Sequence, residues 1–200
     1  MSTPSPPLPQ QIYLIRHGEK PADPSPTSAS GPPFGVDGNG NQNAHSLLPR
    51  GWQRSGAVAV LFDPAGGALQ AGLRTPTVLY SLSYGNPGKT QTHRTYQTIQ
   101  GLGGRLGVTI QSPVPEGQEP PLAAAILASG EEVVLICWEH DHIPAVAQSI
   151  PTVDATTIPT VWPGHRFDVI WSVALDPATG RYAFGQVPQQ VLDGDTDTLI

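Results

Sequence analysis

The stretch Gln11-Ile12-Tyr13-Leu14-Ile15-Arg16-His17-Gly18-Glu19 decides the reading of this chain. Its first half is a short run of β-branched and aromatic residues, which predicts a buried strand. An Arg-His pair stands at the end of that strand, with Gly next. Arg offers a planar fork of donors suited to phosphate oxygens. His is a nitrogen nucleophile usable near neutral pH, and Gly lets a ligand come close to the backbone.

Working outward, residues 1–10 read as a disordered tail, and residues 20–46 form a long polar segment rich in Pro and Gly. Loops of this length are commonly lids or binding loops, and its position after Glu19 favours a loop over an active site. A helix is predicted from Pro49 to Phe62, with Trp52, Ser55/Gly56, Ala59 and Phe62 on one face. Thr77–Ser81 reads as a strand, and Thr90–Leu106 as a helix frayed by Gly101, Gly103 and Gly104. Val108–Ile110 follows as a short strand and Pro121–Ser129 as a helix. Val133-Val134-Leu135-Ile136-Cys137-Trp138 is the continuous apolar run expected of a central parallel strand. It leads into Glu139-His140-Asp141-His142 and a short helix from Pro144. Phe167, Val169, Trp171 and Val173, with Tyr182-Ala183-Phe184, suggest a late hairpin. Strands alternating with helices predict an α/β fold, a three-layer α/β/α sandwich around a mostly parallel central sheet. Ligands in such sheets sit beyond the carboxyl ends of the strands. Arg16-His17 and Glu139-His140 both occupy such ends.

The 200 residues suit one domain with a sizeable core, and 38% apolar content supports a globular chain. With 22 Gly and 23 Pro, long loops are expected. A formal charge of −6 with only 10 Lys and Arg argues against nucleic-acid or anionic-membrane partners. A single Cys excludes an internal disulfide and a Cys-based zinc site. No basic and apolar leader opens the chain, and no apolar run reaches the ~20 residues of a membrane span. A cytoplasmic location is the expectation.

Arg16-His17-Gly18-Glu19 resembles the signature of the histidine phosphatase (phosphoglycerate mutase-like) superfamily. Thr92-His93-Arg94-Thr95-Tyr96-Gln97-Thr98 is similar to the family's Ser-x-Arg-x-x-Gln/Glu-Thr stretch, which supplies another phosphate-binding Arg. Ile136-Cys137-Trp138-Glu139-His140 resembles the segment carrying the second catalytic His, and Leu47–Arg54 looks like the family's first helix. The order agrees over residues 11–150. The resemblance implies that His17 attacks phosphorus and forms a phosphohistidine, while Arg16, Arg94 and a protonated His140 hold the non-bridging oxygens. It implies a small phosphorylated substrate, no metal and no cofactor. The acid that protonates the leaving group is Asp141, as in the His-Asp pair of the acid-phosphatase branch, or Glu116, near the mutase branch's acidic residue. Asp141 is slightly favoured because the chain ties it to His140, and Glu119 is a third candidate. Glu19 is expected to orient an Arg or the loop.

Other readings weigh less. Lys20-Pro21 replaces the residues that phosphoglycerate mutases carry after the signature, which disfavours a mutase. A non-catalytic phospho-ligand scaffold on the same fold is the rival of a different class, but binding alone does not need His17. Gly85–Thr90 imitates a Walker loop, yet Ser83 stands where that motif wants Gly. Cys137 lacks the Arg of a cysteine phosphatase, since Ile143 stands there, and reads as a buried strand thiol. His140 and His142 with Asp141 make a weak metal motif. His142 is otherwise a capping or orienting residue. His45, His93 and His165 read as local or loop residues, Thr92 as local structure, and Tyr84 and Trp138 as core or rim packing.

Overall fold

A computed structural model describes residues 6–22, 32–83 and 93–200. The opening apolar run forms β1 (Gln11–Arg16), and the run before Glu139 forms β4 (Val133–Trp138), every residue of both being buried. Between them lie α1 (Pro49–Phe62), β2 (Val78–Tyr80), α2 (Arg94–Leu106), β3 (Ile110–Gln111) and α3 (Glu119–Leu127). After β4 come α4 (Ile143–Gln148), β5 (Val169–Asp176) and β6 (Arg181–Pro188). One six-stranded sheet results, ordered β3-β2-β4-β1-β5-β6. β3, β2, β4 and β1 run parallel, and β5 and β6 are an antiparallel pair on the β1 side.

Strand side chains alternate between two cores, as a period of two requires. Ile12, Leu14, Val134 and Ile136 pack with Leu122 and Ile126 of α3 and Ile143 and Val146 of α4. Tyr13, Ile15, Leu135 and Cys137 pack on the other face with Val58 and Phe62 of α1 and Ile99 and Leu102 of α2. The sheet is thus covered on both sides, which is the predicted three-layer α/β arrangement. Pro in the first turn opens α1, α3 and α4, where its missing N–H leaves no helical bond unmade.

Three local expectations change. The buried face of α1 runs through Gly51, Arg54, Ser55, Val58, Ala59 and Phe62, leaving Trp52 half-buried and Gly56 exposed. The apolar period finds Ser55, Ala59 and Phe62 on this face but not Arg54, which is buried in an ion-pair network. The glycines of α2 do not interrupt that helix, which runs on to Leu106 and ends at Gly107 with φ of 67°. Phe167 lies before β5 instead of in it. The start expected for α2 at Thr90, the Walker-like Gly85–Thr90, Tyr84 and Thr92 lie outside the described residues, as do residues 1–5 and 23–31.

Two features aim the site. In the parallel β1–β4 ladder Arg16 stands opposite Trp138, so His17 and Glu139 leave the sheet side by side. Gly18 then passes against the backbone of α1: a Cβ on Gly18 would lie 2.8 Å from the Gly51 carbonyl oxygen. Gly18 is therefore required by chain crossing, and the neighbour at that spot is backbone, not ligand. At the other end of the chain, Tyr182 donates to the Pro9 carbonyl at 2.9 Å and Leu175 N donates to the Gln10 carbonyl at 3.0 Å, anchoring the entry to β1.

Candidate active site

His17 is fully buried at the carboxyl end of β1. Its Nδ1 lies 2.6 Å from the Gly18 carbonyl oxygen and its Nε2 3.1 Å from Glu139 Oε2. Both ring nitrogens thus face oxygen atoms, which fix the orientation of the ring. The Gly18 N–H donates to Thr98 Oγ1 at 2.8 Å, and Thr98 donates in turn to the Arg94 carbonyl. α2 thereby holds the turn that orients His17. Burial alone would raise the Glu139 carboxyl, but the His17 charge and hydrogen bond, with Arg94 and Lys20, bring it down to about 2.

Arg16 is buried beside it. One of its terminal nitrogens donates to the Gly164 and Arg166 carbonyls, and its guanidinium lies 3.9 Å from the centre of the Phe167 ring. Its Nε is buried and makes no hydrogen bond among the described residues. Burial lowers its pKa to about 10 despite Glu139 and Asp141 nearby. Arg94, at the start of α2, donates to the Ala44 carbonyl at 2.9 Å. The segment after Glu19 thus reaches the site and steadies its second Arg.

His140 approaches from the end of β4. Asp141 Oδ1 is 3.3 Å from its Nε2, while its Nδ1 is buried with no hydrogen-bond partner among the described residues. Burial, then the Arg16 charge, lower its pKa. Gly164, whose carbonyl accepts from Arg16, also lies against this ring: a Cβ there would stand 3.4 Å from His140 Nε2.

The two acid candidates sit differently. The Asp141 side chain is 77% exposed and turned to His140. Glu116 is 37% exposed, with Oε1 3.0 Å from His142 Nε2. Burial raises its carboxyl above the ordinary value even though the His142 charge lowers it, and Glu139, Glu119 and Asp141 add to the rise. Glu119, at the start of α3, is buried and accepts from Trp138 Nε1 and from Gly117 N. Its Oε1 also lies 3.1 Å from His142 Nδ1.

Glu19 points away from this group. It accepts from Arg50 and from Arg54, whose guanidinium also binds Asp195 and Gln189. This ties the turn after His17 to α1 and to the C-terminal segment.

Arg16, His17, Arg94 and His140 are therefore gathered at one end of the sheet, with Asp141 and Glu116 around them. Sequence reasoning missed Glu139 as a site residue, along with Phe167 and Gly164. A carboxylate one residue beyond a central strand was the available signal for Glu139, because that strand pairs with the one ending in Arg16-His17. The Cys137 thiol is buried and burial pushes its pKa well up, as expected of a strand thiol. His45 and His165 lie on the surface. Among the described residues no group of three or more His, Cys, Asp or Glu could hold a metal ion. No helix among them is long and apolar enough to cross a membrane.

No protein-family model matches the sequence, and no curated protein does. Solved structures do match the fold. The protein histidine phosphatase SixA complexed with tungstate superposes with a TM-score of 0.50 at 18% identity, covering 90% of this chain and 97% of that one. A structure described as a putative alpha-ribazole-5'-P phosphatase from Escherichia coli K-12 gives 0.51 at 10% identity, covering 94% and 100%. The likeness to these two structures is one of fold.

Proposed function

We propose that this chain is a phosphatase that hydrolyses phosphomonoesters through a phosphohistidine on His17, by chemistry that uses no metal. The observation that carries this is a pair of buried polar atoms with no hydrogen-bond partner among the described residues, Arg16 Nε and His140 Nδ1, near the buried ring of His17. A buried polar atom without a partner is costly. An oxyanion between Arg16, Arg94 and His140 would satisfy both at once. Structural neighbours described as phosphatases support the same reading.

In this reading Nδ1–H stays on the Gly18 carbonyl and Nε2 is the attacking nitrogen. The charge of the entering phosphate raises the neighbouring Glu139 carboxyl, which takes the Nε2 proton and draws aside. Nε2 then forms a bond to phosphorus while the ester P–O bond breaks and its electron pair leaves on oxygen. The leaving oxygen takes a proton from Glu116, whose raised pKa suits an acid working near neutral pH. In the second step Glu116 takes a proton from water, the oxygen attacks phosphorus, the P–N bond breaks with its electron pair returning to Nε2, and Nε2 takes back the proton held by Glu139. Arg16 and Arg94 stay charged and offset the charge gathering on the equatorial oxygens. Asp141 steadies His140, whose lowered pKa rises again beside a dianion, so His140 takes up a proton as the ester binds.

The test is wild type against His17→Ala on a panel of phosphate esters in EDTA, with trapping of acid-labile phosphoenzyme. Wild type is expected to turn over and to label, and the variant to do neither. Label persisting in the variant would move the nucleophile elsewhere. An inert wild type that still binds phosphate esters would make the chain a phospho-ligand scaffold instead.

A further inference from the structure

Glu116, His142 and Glu119 come from three different elements, yet they form one chain of hydrogen bonds. His142 precedes α4, Glu119 opens α3, and Glu116 lies in the loop between β3 and α3. The imidazole stands between the two carboxyls, with Nδ1 3.1 Å from Glu119 Oε1 and Nε2 3.0 Å from Glu116 Oε1. These two ends are not equivalent. Glu119 Oε1 also receives the Trp138 indole N–H at 3.2 Å and the Gly117 N–H at 3.0 Å. An oxygen facing two fixed donors serves as an acceptor, so the hydrogen of its contact with His142 lies on Nδ1. Nε2 is thereby left as the basic nitrogen, facing Glu116.

Proton counting then constrains the pair. An N···O contact of 3.0 Å needs one hydrogen between Nε2 and Oε1. That hydrogen sits on the imidazole, leaving Glu116 ionised, or on Glu116, leaving the imidazole neutral. Either way Glu116 and His142 together hold one proton beyond the Nδ1 hydrogen. The charged groups around Glu116 besides His142 are Glu139, Glu119 and Asp141, and all three favour keeping that proton.

We infer that His142 is a positioning residue that, clasped by Glu119, keeps one transferable proton at the Glu116 carboxyl. This rests on the phosphatase reading with Glu116 as the acid. In the first step the O–H bond at Glu116 breaks and an O–H bond forms on the leaving oxygen, so the pair loses its proton. In the second step water supplies the replacement. Imidazole is a stronger base than carboxylate, so the pair keeps its proton to higher pH than a lone carboxyl does.

The experiment compares wild type with His142→Gln and Glu119→Gln on phenyl phosphate, a poor leaving group, and p-nitrophenyl phosphate, a better one, across pH. For His142→Gln, kcat/KM on phenyl phosphate should fall about 10–100-fold, and on p-nitrophenyl phosphate less than about threefold. The basic limb of the phenyl phosphate profile should move to lower pH. Glu119→Gln should shift both in the same direction by less. Equal losses on the two esters, or an unmoved limb, overturn the inference while leaving the phosphatase reading intact. Wild type with neither turnover nor phosphoenzyme overturns both. Nitrogen-15 NMR of the His142 ring gives an outcome independent of variant folding. Nδ1 should stay protonated throughout while the Nε2 signal and the Glu116 carboxyl titrate as one event. Separate titrations overturn the inference.

Discussion

The molecule buries two clusters of charge, and they are finished differently. Around Arg54 every guanidinium nitrogen is used: Nε and one terminal nitrogen on Glu19, both terminal nitrogens on Asp195, and one on Gln189. Asp195 is closed as well, accepting from Val191 N and Leu192 N. Burial works against the Arg54 charge, yet hydrogen bonds to Asp195 and Glu19 hold its pKa above the ordinary value. Around Arg16 the accounting stops short. Nε has no partner among the described residues, a terminal nitrogen is spent on carbonyls, and burial brings the pKa down. A closed cluster is architecture, whereas an open one at the same depth is what the proposed anion site requires. Both arginines are almost wholly buried, so residue type and burial alone would not separate them.

The sharpest way to break this comparison is to neutralise each Arg in turn. Arg54→Met leaves Asp195 buried without its cation and Glu19 with Arg50 alone, which should cost about 3–5 kcal/mol in chemical denaturation. Arg16→Met should instead lower kcat/KM by about 10²–10³, with a far smaller loss of stability. Equal stability losses would erase the distinction.

Anion binding sharpens it next. Because His140 is lowered in the free protein and raised beside a dianion, binding should take up a proton in the window between those two values. Calorimetric affinity for sulfate, which stays fully ionised there, should then weaken as pH rises, by at most about tenfold per pH unit. His140→Gln should flatten the slope, and an unchanged slope would remove His140 from the oxyanion.

The smallest effect concerns Glu139. Its folded pKa of about 2 lies below its ordinary 4.5. Its contribution to stability is therefore complete above 4.5 and lost as pH falls toward 2. Thermal melts of Glu139→Gln should fall less steeply over that window than those of wild type. Parallel curves would show that the contact with His17 carries no net stability.

Much of the fold could be read in advance, and the reason is local. β1, α1 and β4 match their predicted spans because apolar runs and Pro-initiated helices announce themselves within a few residues. The face of α1 could not be read that way, because Arg54 is buried by partners lying far along the chain. The same limit applies at the site. Arg16-His17, Arg94 and Glu139-His140 each carried a local signature. The contact between His17 and Glu139 spans 122 residues of sequence, and it follows only from the pairing of β1 with β4. The choice between Asp141 and Glu116 also turns on distant contacts. Chain adjacency drew attention to Asp141, whereas burial of Glu116 and its bond to His142 depend on how α3 and α4 meet.

The order of strands has one more consequence. β4 and β1 occupy the middle of the sheet, with β2 and β3 beyond one and β5 and β6 beyond the other. The edge on one side is a strand of only two residues, the kind of margin that opens and recloses most readily. Such fraying would stop at β2 before reaching the ladder that sets Arg16 against Trp138. Amide exchange should accordingly be fast at Ile110 and slow at Leu14 and Ile136, so that the carboxyl end of the central strands keeps its geometry while the margins breathe.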